Sequence, residues 1–176
     1  MTLRTLVLGL GNEYAGDDAA GVLVVRALRG ELTVAADVVE SAASGFALLE
    51  IFAGYDRAVI VDSIRTGVNP PGTILDLGFE DLGRVVAPSL HHAGIPELAA
   101  VAERLGLNFP AKTSVLAVEV AEPPTFGAPL SEPVAAAVGP LVRLVRARVE
   151  LLASQQAPAG ERDTTLCTTT GPSARS

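Results

Sequence analysis

Apolar residues fall along the chain in short blocks of two kinds, and their alternation predicts the fold. Leu3 to Leu8 is apolar on both faces, the pattern of a strand at the centre of a parallel sheet, and Gly9 and Gly11 end it. Val22, Val25 and Leu28 then recur at helical spacing until Gly30. Val34 to Val39 predicts a second strand, Ser41 to Gly45 a turn of small residues, and Phe46 to Phe52 a short helix. Arg57 to Asp62 reads as a buried strand closing on an acid, and a turn holding Pro70 and Pro71 leads to a further strand, Thr73 to Leu77, of unspecified direction. Periodicity lapses between Gly78 and Ser89. A helix with Pro96 in its first turn follows, running to about Leu105, with His91 and His92 just before it. Thr113 to Val120 is another apolar strand, and Glu122 to Pro129 a proline-rich loop. Ser131 and Pro133 open a last helix whose apolar face is Val134, Val138, Leu141, Val145 and Val149, ending near Leu152. The pattern is that of an α/β domain over residues 1–152, with helices on a mostly parallel sheet of about five strands. Residues 153–176 have little apolar content and are expected to form a disordered tail.

Composition narrows the partners. A length of 176 residues suits one domain, and with 49% hydrophobic but only 4% aromatic residues the core must be built from Val, Leu, Ile and Ala. A net charge of −7 argues against a nucleic-acid partner, which calls for a basic patch. No apolar run reaches the roughly 18 to 20 residues needed to span a bilayer, so no membrane partner is expected. The first residues, Met1-Thr2-Leu3-Arg4-Thr5, lack the basic flank and cleavage site of a signal peptide, and a cytoplasmic monomer is expected. The single cysteine, Cys167, excludes both a disulfide within the chain and a multi-cysteine zinc site, leaving histidine and carboxylates as metal donors.

Chemistry is concentrated in Leu6 to Gly21, where a strand passes through a glycine turn and a pair of acids into a helix. That turn resembles a phosphate loop only superficially. A dinucleotide fingerprint after Gly9 and Gly11 needs a third glycine where this chain has Tyr14, no Gly-Lys-Ser/Thr follows, and two acids would repel a phosphate. The acids suit a cation better. Asp17 or Asp18 after the first strand, Asp62 at the end of the third, and His91 or His92 before a helix all fall at the carboxyl edge of the sheet, where sites of open α/β folds assemble. Two carboxylates and an imidazole suit a borderline ion such as nickel or zinc. Each residue also has an ordinary reading: the acids at the helix start as caps, Asp62 as the exposed end of a strand, the histidines as a solvated loop.

Taken together, Gly9-Leu-Gly11-Asn12, Gly16-Asp17-Asp18-Ala-Ala-Gly21, Val61-Asp62 and Ser89-Leu-His91-His92-Ala-Gly94 resemble the hydrogenase maturation endopeptidases. The stretch from Glu122 through Gly127 and Ser131 to Val134 is similar to that family's last loop and helix entry, so the likeness runs from about Thr5 to Leu152. It implies a three-layer α/β/α domain that removes the C-terminal extension of a nickel-iron hydrogenase large-subunit precursor after nickel insertion. It also implies Asp18, Asp62 and His91 as catalytic residues and nickel ligands, chosen over their neighbours by motif register. The resemblance further implies that the metal comes with the substrate. Gly11, Asn12 and His92 fall in the expected substrate-binding loop, and Asp17 is left as a helix cap. Ala19 departs from the glycine that many relatives carry after the acids. A nickel-binding factor that cuts nothing uses the same ligands, and a nucleotide enzyme is the remote alternative.

Overall fold

The computed structural model describes residues 3–32, 35–82, 94–121, 123 and 125–155. Its strands are β1 (Thr5–Leu10), β2 (Asp37–Ser41), β3 (Arg57–Ile64), β4 (Ile74–Gly78) and β5 (Lys112–Glu119). They form one five-stranded sheet in the order β2-β1-β3-β5-β4. All pairings are parallel except β4 with β5. The direction of β4 follows from its approach. The described segment between β3 and β4 contains no helix, only a turn-rich loop, so the chain reverses instead of crossing over.

Among the described residues five helices, α1 (Ala20–Leu28), α2 (Ala47–Phe52), α3 (Phe79–Leu82), α4 (Ile95–Leu105) and α5 (Glu132–Ser154), accompany the sheet. Strand alternation sorts the core into two layers. Val7, Val59, Val61, Leu116 and Val118 face α1 and α5, while Leu6, Leu8, Ala58, Ile60 and Ile64 face α2 and α4. The α/β/α layering is therefore the expected one, and no helix among the described residues is long and apolar enough to cross a membrane.

Several boundaries differ from the sequence pattern for physical reasons. Gly9 does not end β1 but lies inside it: a Cβ there would stand 2.5 Å from the Gly21 carbonyl oxygen and 2.3 Å from Val25 Cγ2. The glycine permits close approach of α1, and the turn belongs to Gly11, whose φ is +135°. Strand β2 runs on to Ser41, past the expected end at Val39; it is an edge strand, and Glu40 is accommodated by ion pairing with Arg26 and Arg29. Residues 33–34, where that strand was expected to begin, lie outside the described residues, as does all of the tail after residue 155. Helix α3 lies where no periodicity is visible, since four residues are too few to display one. The last helix extends two residues beyond Leu152, and buried Arg57 donates from its guanidinium to the Leu152 and Gln155 carbonyls at its end.

Candidate functional site

Strand β1 feeds β2 on one side through α1, while β3 lies on its other side, so the sheet reverses winding between β1 and β3. The crevice at the carboxyl ends of such a strand pair is the usual place for ligands. Asp18 enters it from the loop after β1 and Asp62 from β3.

Asp62 does not mark an exposed strand end. Strand β3 continues two residues to buried Ile64, and Asp62 is 0% exposed. By alternation it shares the α2/α4 face with Ile60 and Ile64. Its Oδ1 accepts the Ser63 N–H at 2.7 Å. A carboxylate this deep is costly unless hydrogen bonds or a cation compensate it, which makes the plain strand-end reading untenable.

Asp18 is 6% exposed and sits in a single 3-10 turn, Gly16–Ala19, ahead of α1. Its Oδ2 accepts the Asn12 N–H at 2.7 Å, and its Oδ1 lies 3.5 Å from Ser63 Oγ. Ser63 thus touches both acids, through its amide to Asp62 and through its hydroxyl to Asp18. Gly11 makes the turn possible: a Cβ there would stand 1.9 Å from the Asp18 carbonyl oxygen. The Gly11 amide donates to the Ser41 carbonyl at 3.1 Å, fastening the loop to the end of β2. Since the Asn12 amide is already spent on a carboxylate, the turn does not form a phosphate cradle.

Asp17 is not a cap of its own helix. The residues at the cap positions of the 3-10 turn and of α1, Ala15 and Ala19, carry no capping side chain, and Asp17 instead reaches Ser131, 114 residues away. Its Oδ1 accepts the Ser131 N–H at 2.6 Å and its Oδ2 the Ser131 hydroxyl at 2.8 Å. Ser131 holds the N-cap position of α5, but its hydroxyl donates to Asp17 instead of accepting a helix amide. The same two loops meet again where the Gly127 amide donates to the Tyr14 carbonyl at 2.7 Å.

Two contributors were not visible in the sequence. Ser63 is one, an unremarkable serine in a strand. Glu119 is the other: it is buried at the end of β5 and accepts the Thr66 and Gly67 amides at 2.7 and 2.9 Å and the Thr66 hydroxyl at 2.6 Å, fixing the loop after β3. An acid inside an otherwise apolar strand is the one signal that could have singled it out. A cleft of about 320 Å³ opens between the loops after β1 and β2, with Asn12, Tyr14, Arg26 and Glu40 among its walls. The Arg26 guanidinium beside Glu40 holds the Glu40 carboxyl below the usual carboxylate range.

His91 and His92 lie outside the described residues. No three metal-binding side chains converge among the described residues. Helix α4 begins directly after Gly94, whose φ is +93°. Its first residue, Ile95, packs in the same cluster as Ile60 and Ile64, which flank Asp62 on that face of β3.

Residues 22–148 match the family model described as hydrogenase maturation protease, a span that includes Asp62 and His91 and begins just after Asp18. The hydrogenase 2 maturation protease of Escherichia coli (strain K12) is 32% identical over 120 residues, covering 66% of this chain and 73% of the relative. The hydrogenase expression/formation protein HupD of Rhizobium leguminosarum bv. viciae is 28% identical over 152 residues, 81% of this chain and 74% of the relative. Among solved structures, the hydrogenase maturating endopeptidase HybD from E. coli superposes with a TM-score of 0.71 at 25% identity, covering 85% of this chain and 94% of that one. The [NiFe] hydrogenase maturation protease HybD from Thermococcus kodakarensis gives 0.65 at 28% identity, with 84% and 99% covered. With a family match across most of its length and a shared fold, this chain belongs to the hydrogenase maturation proteases.

Proposed function

We propose that the chain is a cytoplasmic, monomeric endopeptidase that removes the C-terminal extension of a nickel-iron hydrogenase large-subunit precursor once nickel is in place, with the substrate's nickel as the recognition element. The observation that carries this reading is the buried pair Asp18 and Asp62, joined through Ser63 at the winding reversal of the sheet. Two carboxylates with the imidazole of His91 make an oxygen and nitrogen donor set suited to nickel. The position of α4 supports the inclusion of His91, since that helix packs on the face that carries Asp62.

In this scheme the two acids and His91 engage the metal already seated in the precursor. The scissile bond beside it is thereby held at the site, and the advantage over reaction in solution is one of proximity. Asn12 and Ser63 hold the carboxylates in place by the bonds described above. Asn12, Gly11 and His92 are assigned in this scheme to the loop that binds the substrate.

Incubation of the protein with nickel-loaded and nickel-free precursor, read by mass, tests the proposal. Cleavage of the loaded form only is expected, and Asp62→Asn and His91→Ala are expected to abolish it in folded protein. Full processing by either variant, or equal cleavage without nickel, would overturn it.

A further inference from the structure

Every loop leaving a parallel strand at the carboxyl edge presents one large apolar side chain to solvent. After β1 this is Tyr14, after β2 Phe46, after β3 Val68 and after β5 Phe126, exposed by 61, 70, 82 and 79%. The chain has only seven aromatic residues, two Tyr and five Phe, so placing three of them in solvent around one site runs against the economy of the core. Apolar surface left open on a single face marks an interaction site, and aromatic side chains are the residues that interfaces favour.

The ring is anchored to the acids. The Tyr14 amide donates to Asn12 Oδ1 at 3.0 Å, and the Asn12 amide in turn donates to Asp18. Tyr14 and Phe126 stand with centroids 6.2 Å apart, tilted by 42°. The bond from the Gly127 amide to the Tyr14 carbonyl and the Asp17–Ser131 bonds tie their two loops together. The backbone that carries the pair is therefore held at a fixed offset from Asp18, and little backbone ordering entropy remains to be lost on binding.

We infer that Tyr14 and Phe126 form a docking surface for an apolar polypeptide segment of the precursor, separate from the acids that meet its metal. This rests on the function proposed above. The occupant is a protein surface because the ring is continuous with a site that must receive a polypeptide, and because exposed aromatic side chains are the contacts that protein interfaces favour. Docking then contributes to KM, while the acids hold the metal and contribute to turnover.

Two measurements on the full chain test the inference. Binding of nickel-loaded precursor is measured by calorimetry on an Asp62→Asn background, and processing kinetics on the otherwise native protein. Tyr14→Ala and Phe126→Ala are each expected to weaken binding and raise KM by about tenfold with kcat retained, whereas Tyr14→Phe and Phe126→Tyr restore both. Leu105→Ala and Leu151→Ala, exposed apolar residues away from this edge, are expected to change neither. Unchanged binding in the folded Tyr14→Ala/Phe126→Ala double variant would overturn the docking surface, as would a loss confined to kcat. Because binding is read without cleavage, a native protein that binds through the ring yet never cuts would refute the endopeptidase reading and leave the docking inference supported.

Discussion

Replacing Asp17 by asparagine separates the clamp between the two loops from every other role an acid at this place could have. Asparagine keeps the shape of the side chain. Its carbonyl oxygen still accepts the Ser131 amide, but the hydroxyl of Ser131, which now donates at 2.8 Å, must turn to accept from the new amide nitrogen. What is lost is charge. A hydrogen bond to an ionised group contributes about 1.5–3 kcal/mol against about 0.5–1.5 for a neutral one, and a carboxylate at the start of a helix adds about 0.3–1 kcal/mol. Because Asp17 is partly solvated, the lower ends apply, and a loss of about 1–2 kcal/mol is expected. Ser131→Ala removes the hydroxyl alone and should cost about 1 kcal/mol. Urea unfolding at neutral pH reads both as a lower midpoint at unchanged m-value. The double variant Asp17→Asn/Ser131→Ala should be less destabilised than the sum of the two, since both act on one bond. Strict additivity, or an Asp17→Asn protein as stable as the native one, would refute the clamp.

Other positions give equally direct tests. In Gly21→Ala the new Cβ would meet two backbone carbonyls, Leu10 at 2.3 Å and Val61 at 2.4 Å, neither able to yield, so a loss above about 3 kcal/mol is expected; a neutral result in urea unfolding would contradict the packing of α1 on the sheet. Glu119→Ala strands the Thr66 and Gly67 amides and should cost about 2–5 kcal/mol, while Glu119→Gln, which keeps an acceptor, should cost about half as much; the reverse order would show that the buried carboxylate does not hold the loop. Glu40, whose carboxyl is depressed by its hydrogen bond from Arg26, stabilises the fold fully above the unfolded value of about 4.3 and loses that contribution as pH falls through its lower folded value. Urea midpoints should accordingly fall less between about pH 5 and about pH 3 in Glu40→Gln than in the native chain, and parallel curves would exclude the linkage.

The central strands were legible because burial on both faces leaves an unbroken apolar run, as in β1 and β3. So was the carboxyl-edge placement of the acids, which follows once strands and helices alternate. Helix α4 could be read because Pro96 marks its first turn. Edge strand β2 was misplaced at its polar end because Glu40 and Ser41 look like loop residues until the arginines of α1 are known to face them. Gly9 reads as a strand end for a similar reason: a glycine that admits a helix and a glycine that bends the chain are the same letter, and only the 2.5 Å approach of the Gly21 carbonyl tells them apart.

Acids at the carboxyl edge make the point most sharply. Asp17, Asp18, Asp62 and Glu119 are all shielded from water to some degree, and local pattern gives no means of ranking them. Their hydrogen bonds do. Asp17 and Glu119 each bind a segment far away in the chain, Ser131 in one case and Thr66 and Gly67 in the other, and so act as ties between loops. Asp18 and Asp62 accept amides close by in the chain, from Asn12 and Ser63, and Asp18 also stands 3.5 Å from the Ser63 hydroxyl on β3. On the function proposed above, Asp17 and Glu119 serve the loops, whereas Asp18 and Asp62, at the winding reversal, serve the substrate. That division predicts different failures: removing a tie should lower stability first and processing as a consequence, and removing Asp62 should abolish processing in a protein that still folds.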